Sequence, residues 1–374
     1  MRVIVVCLLI CVLYQLYQWA FRKWWDKGLK IQVSCDHEYA YEGDNLHLVE
    51  TIENRKILPI PALKVKFTTS KFWMFEGVEH GTTTDKFYRN DVFAVGGNER
   101  VIRKLPFVCK RRGYFFLGDV DVFGGDYFFS KEFMKRFSNK QWVYIFAKRV
   151  SCPKLDFFYK QMMGDMISKK RLFEDPFTFA GIRDYENYDT MRRINWKASA
   201  KTGELKVNTY AFTAEQNVNL VLFFEQKNVE WDKNMEEYAI SLVATIGEYF
   251  IRDRVNVSFY SNGLDAENGN SMSLLEGSGQ HHLRRLDECL ARIDLLYRDN
   301  EMEHEEVFLE RALKMDEINL VVTTCQTALL QEKLLQKVEE GYQIRWLLPH
   351  YEMDIPKVDE RLKEYLLELV SELG

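Results

Sequence analysis

The nineteen residues Val3–Phe21, VIVVCLLICVLYQLYQWAF, carry no charge, and this run constrains the fold more than any other feature. At 1.5 Å per residue a helix of that length reaches ~28 Å, close to the ~30 Å hydrocarbon thickness of a bilayer. A cleaved signal peptide or a buried core helix would compete for the same residues. A signal peptide wants a basic start, a shorter apolar run and a small-residue cleavage site. Here the bulky QWAFRKWW follows instead. Trp19, Trp24 and Trp25, with Arg22 and Lys23, read as an interfacial belt. The run is expected to be a retained anchor in contact with membrane lipid. Only Arg2 precedes it, whereas Arg22, Lys23, Lys27 and Lys30 follow. The positive-inside rule then puts the N-terminus outside and the long C-terminal part in the cytoplasm. The seven cysteines are odd in number, irregularly spaced and without a CxxC pair, which fits a reducing compartment.

The 374 residues allow about two domains beyond the anchor, at ~150 residues each. A net charge of −5 gives no general reason to expect nucleic acid. Residues 1–30 are the anchor and juxtamembrane segment. Residues 31–147 alternate in short runs broken by EGDN, ENRK and glycines, which predicts a β-sandwich. Residues 148–215 form a bridge. From 216 to 374 strand and helix patterns alternate. Strands are expected at 218–224, 255–261, 318–324 and 343–349. Helices are expected at 234–253, 281–296 and 328–342, with a closing amphipathic helix at 359–373. Such alternation predicts an open, mostly parallel α/β sheet.

Motifs for chemistry are scarce. There is no GxxxxGK[ST], no GxGxxG after a strand, no GxSxG and no HExxH, so neither nucleotide hydrolysis nor a zinc protease is indicated. His281 and His282 are adjacent and read as solvated. No cofactor is expected. A sheet of this rhythm can hold Mg²⁺ at its C-terminal edge, as von Willebrand A-type modules do with Asp-x-Ser-x-Ser after the first strand. Here that place reads Phe224-Glu225-Gln226-Lys227-Asn228-Val229. Glu225 supplies one oxygen, but Lys227 stands where a hydroxyl would be, so the metal site is expected to be degenerate.

The densest segment is GIRDYENYDTMRRINWKASAKTGEL, Gly181 to Leu205. Thr190 or Asp189 is expected to cap a helix MRRINWKASA that stops at Gly203. Leu205, Val207 and Thr209 then alternate as a strand. One reading is a structural clasp, with arginine forks on Asp184 and Asp189 and with Trp196 and Tyr185 filling a crevice. The other is a docking surface or anion site. Spacing alone favours the clasp.

These residues resemble the bacterial domain-of-unknown-function family fifty-eight, the YeaD-like membrane proteins. The matching set is Phe179, Gly181, Arg183, Tyr185, Asp189, Arg192, Ile194, Trp196, Ser199 and Ala200. Tyr188 replaces a glycine of the family phrase and Lys201 its final arginine. Upstream, Arg111, Arg112, Gly113, Tyr114, Leu117, Gly118 and Val120 fit a second phrase loosely, and Gly125-Asp126-Tyr127-Phe128-Phe129 is a degraded third. The resemblance implies a von Willebrand A-like C-terminal fold and a non-enzymatic adaptor working with a MoxR-type AAA+ ATPase and other membrane components. Two alternatives remain: a metal-dependent adhesion module outside the cell, and an enzyme using Arg183, Asp184 and Asp189.

Overall fold

The computed structural model describes residues 2–75, 86–128, 131–172, 174–212, 217–225, 232–295 and 305–371. They fall into two compact units, Met1–Lys148 and Arg149–Gly374.

The first unit begins with the helix Arg2–Trp24. Its residues Ile4–Trp24 are long and apolar enough to cross a membrane, and nearly all of that stretch is left uncovered by protein. Only its C-terminal end is taken up by the body: Phe21 and Trp25 are buried in the same core as the strands. That core lies among three sheets. One is antiparallel, in the order Leu29–Cys35, Asn45–Asn54, Glu99–Cys109, Trp73–Phe75. A second, also antiparallel, runs Glu132–Phe137, Val120–Gly125, Ile60–Ser70, Lys86–Val95. The third joins Tyr39–Tyr41, Gln141–Phe146 and Gly113–Leu117. Alternation in the sequence becomes alternation in burial. In Asn45–Asn54 every second side chain is buried, Leu46, Leu48 and Ile52 among them. They meet Leu63, Val65 and Val122 of the second sheet and Val143 and Ile145 of the third. Full burial of each such side chain contributes ~1.5–3 kcal/mol. This is the β-sandwich arrangement that the alternating runs predict.

The second unit holds an α/β sheet. Its order is Ser271–Gly277, Val257–Asp265, Val218–Phe223, Ile318–Thr323, Gln343–Tyr351, Leu366–Ser371. Neighbours are parallel except the antiparallel edge strand Ser271–Gly277 and the short Ile293–Asp294, which also pairs antiparallel with Val257–Asp265. Val218–Phe223 is buried at every residue, which is why it reads as an unbroken apolar run. The helices Lys233–Arg252, Gln280–Arg292, Glu305–Ala312 and Ala328–Glu339 connect the strands.

Two expectations change here. Of the closing helix expected at 359–373, the described residues 359–371 do not form one. After a short 3₁₀ turn at Glu360–Leu362, Leu366–Ser371 is a strand paired in parallel with Trp346–Tyr351. Pairing with an otherwise open sheet edge overrides the helical spacing of the leucines. The helix expected at 281–296 stops at Arg292, because Ile293–Asp294 turns antiparallel onto Val257–Asp265. The 148–215 segment contains a helix, Pro153–Leu172, that its weak apolar period does not announce. It also contains the antiparallel pair Glu174–Asp184 and Lys206–Phe212.

Candidate functional site

The signature residues sit on that two-stranded pair and on the excursion between its strands. The expected single helix MRRINWKASA is two pieces, a 3₁₀ turn Met191–Arg193 and an α-helix Trp196–Thr202. Between them Ile194 is buried and forms a bridge to Val207, adding a third edge to the pair. The cap is Asn195, not Thr190 or Asp189: its Oδ1 accepts from the Ala198 N–H at 3.0 Å. Asn195 Nδ2 donates to Asn208 Oδ1 at 2.8 Å, which ties the helix start to the second strand. Ser199, also buried, donates to the Asn195 carbonyl at 2.9 Å and accepts from Lys206 N–H at 2.8 Å. Gly203 ends the helix at φ 78°, a left-handed turn suited to glycine. Ile194, Ser199 and Gly203 therefore build the scaffold.

Arg183 and Asp189 form the expected fork. Arg183 Nη1 and Nη2 donate to the two Asp189 oxygens at 2.7 and 2.5 Å, and Glu186 N–H donates to the same carboxylate at 2.9 Å. The Arg183 bond, then the backbone donor, holds the Asp189 carboxyl below its ordinary range. The Asp184 carboxylate pairs with Lys206 rather than with an arginine, while its backbone carbonyl accepts from Arg183 Nη1 at 2.9 Å. The crevice-filling role expected of Trp196 is also corrected. Trp196 is 65% exposed, and so are Phe179 (57%), Tyr188 (76%) and Met191 (73%). Trp196 opens a helix of two turns whose inner side is already occupied by Ser199. The break at Ile194 and Asn195 removes any continuous helical face shared with Arg192, which is exposed, as is Ala200. Tyr185 is half-buried and Gly181 lies opposite Thr209. The result is a polar fork whose Arg183 lies 5.7 Å from the Tyr188 ring, in a segment that also leaves Phe179, Met191 and Trp196 uncovered.

The upstream signature serves the sandwich. Arg112, Leu117 and Val120 are buried, and Arg111 lies 4.9 Å over the Phe72 ring. Tyr114 stacks on Trp142 at 4.3 Å. A side chain at Gly113 would meet the Phe115 ring at 2.7 Å, and one at Gly118 would press on Phe116 at 3.1 Å. Of Gly125-Asp126-Tyr127-Phe128-Phe129, the last lies outside the described residues.

At the C-terminal edge of the parallel sheet is a cleft of about 510 Å³, lined by Glu225, Asp232, Glu236, Thr324, His350 and Tyr351 among others. Lys227 lies outside the described residues. Asp232 accepts from the Tyr351 hydroxyl at 2.5 Å and caps the following helix through Asn234 N–H. That bond to Asp232 pushes the Tyr351 hydroxyl up to about 12. Among the described residues no three His, Cys, Asp or Glu side chains stand where they could hold a metal ion. His282, read as solvated, is buried: its Nε2–H donates to the Val257 carbonyl at 2.7 Å, and burial lowers its pKa.

Sequence spacing missed the clasp that does hold the second unit. Arg149 places both Asp287 oxygens within 2.8 Å of Nη2 and donates through Nε to Glu248 at 2.6 Å, while Val150 N–H donates to Thr245 Oγ1 at 2.9 Å. It anchors the start of the unit to two helices from residues about a hundred positions away, so local pattern carries no trace of it.

No protein-family model matches the chain, and no curated protein matches it. Among solved structures, the CARDB domain of the PF1109 protein from Pyrococcus furiosus, in complex with di-metal ions, is 11% identical. That match covers 31% of this chain and 91% of the other, at a TM-score of 0.21. A non-cellulosomal cohesin from the archaeon Archaeoglobus fulgidus is 13% identical over 35% of this chain and 96% of its own, at 0.23. A type I cohesin in a cohesin–dockerin complex from Clostridium thermocellum is 14% identical over 32% and 99%, also at 0.23.

Proposed function

We propose that this chain is a membrane-anchored, non-enzymatic interaction protein of the YeaD-like family, with its main body in the cytoplasm, and that a MoxR-type AAA+ ATPase docks on its signature face. The observation that carries the reading is the exposure of Phe179, Tyr188, Met191 and Trp196 in the one segment that also holds the Arg183–Asp189 fork. Tryptophan, tyrosine and arginine dominate the energetics of protein interfaces, and large uncovered apolar groups in one small element are what such an interface leaves free. The motor belongs to another chain, because this sequence has no phosphate-cradling loop. With the two-residue strand Ile293–Asp294 set aside, the strand order 3-2-1-4-5-6 is that of a doubly wound sheet and supports a von Willebrand A-like second unit.

Replacing Trp196 by benzoylphenylalanine and irradiating native membranes tests the docking site. An adduct with a AAA+ ATPase is expected; adducts with lipid alone, or none, would overturn it. Orientation has its own check: protease added to sealed inside-out vesicles should digest the body, and protection would reverse the topology.

A further inference from the structure

The hairpin joining Val120–Gly125 to Glu132–Phe137 turns back onto the apolar helix rather than away from it. Phe128, at its tip, meets Tyr14 and Tyr17 edge-on, with ring centroids 5.6 and 5.5 Å apart. Tyr14 and Tyr17 lie eight and five residues before Arg22. At 1.5 Å per residue, the tip stands roughly 7–12 Å along the helix axis inside the level of the Arg22–Lys23 pair. We propose that this hairpin tip is a second membrane contact, with Phe128 and Tyr127 seated at the boundary between lipid headgroups and acyl chains. The inference rests on the reading of Ile4–Trp24 as a transmembrane span.

Two backbone donors and the one carboxylate of the described tip residues have protein partners. Irregular backbone at membrane depth persists only where protein satisfies its donors and acceptors. Tyr127 N–H donates to the Tyr17 hydroxyl at 3.1 Å, and Asp126 N–H to the Lys131 carbonyl at 3.4 Å. The Asp126 carboxylate is fully buried and accepts from Gln18 of the helix, itself buried. Among the described residues of the tip, Phe128 is 64% exposed, Tyr127 is exposed beside it, and Lys131 is exposed, its ammonium suited to the headgroup level. The mount is rigid. Trp25 packs so closely on Gly124 that a side chain there would approach its ring to 2.4 Å. A neighbouring turn completes the face. Tyr127 OH donates to the Pro59 carbonyl at 3.3 Å, Lys56 reaches the Trp25 carbonyl, and Ile57 projects into the open. Aromatic rings with one apolar and one polar end favour this depth.

The test uses the full chain in phosphatidylcholine–phosphatidylglycerol vesicles, with benzoylphenylalanine placed in turn at Phe128, at Leu13 of the helix and at Tyr41. Tyr41 is exposed and lies on the third sheet, paired with Phe146, outside both the hairpin and the helix. After irradiation, lipid adducts are counted by mass spectrometry. The expected result is adducts at 13 and 128 and a background level at 41. Adducts at 13 with background at 128 would overturn the hairpin contact while leaving the span intact. Background at both 13 and 128 would remove the span, and the inference with it.

Discussion

At the scale of single residues, two buried charges decide stability. Arg149 neutralises Asp287, whose carboxyl is 3% exposed and raised by burial despite its partner. Arg149→Ala leaves that charge unpaired and is expected to cost about 3 kcal/mol. Urea denaturation of the full chain in detergent checks this, and a loss well under 1 kcal/mol would contradict it. Glu50 is the other. Arg103 Nε lies 2.9 Å from one of its oxygens without aligning as a donor, so the buried carboxylate gains little in return. Burial first, then the charge of Asp91, pushes Glu50 up to about 7 from 4.5. The folded state therefore binds the extra proton between those values, and stability falls as pH rises from about 4.5 to about 7. Asp91 is lowered below its ordinary 3.8 and does not titrate in that window. Glu50→Gln is expected to remove this contribution, seen as a shift in the difference between the denaturation midpoints at pH 5 and pH 8 relative to wild type; an unchanged difference would contradict the assignment. Residue types in the signature were legible as a set, and the Arg183–Asp189 fork follows from them. The exposure of Trp196 was not, because burial depends on whether other elements cover a helix, which spacing along that helix does not encode.

At the scale of elements, apolar period worked where it was long or unbroken. Val218–Phe223 and Lys233–Arg252 appear close to where their patterns place them. It failed at the C-terminus, where Leu362, Leu366 and Leu369 suit a helix and a sheet edge equally. The edge won because the strand Gln343–Tyr351 has its outer backbone groups to satisfy. Leu369 is fully buried there. Leu369→Ala is expected to destabilise the chain by about 2–5 kcal/mol. Hydrogen exchange should show the amides of Leu366–Ser371 protected and lose that protection in the variant. Rapid exchange in the wild type would contradict a paired strand. The Pro153–Leu172 helix escaped notice for the opposite reason: its apolar residues do not form a clean stripe, so periodicity has nothing to detect.

At the scale of the whole molecule, a sandwich buries the end of one apolar helix, and a separate α/β unit leaves its signature residues Phe179 and Trp196 uncovered. The apolar helix, the sandwich and the α/β sheet could be read from charge-free length, alternation and strand–helix rhythm. The partner could not, since nothing in a sequence marks which exposed ring meets another protein. The most direct test of the central claim is co-purification from native membranes, with and without ATP. It compares wild type with Phe179→Ala/Trp196→Ala, after the two have been shown to melt at the same temperature. Both rings are exposed, so folding should be untouched. The account predicts that a AAA+ ATPase is recovered with wild type and reduced at least tenfold with the variant, the loss of about 1.4 kcal/mol or more of binding. Equal recovery of the ATPase with both, or its absence from both, would contradict it.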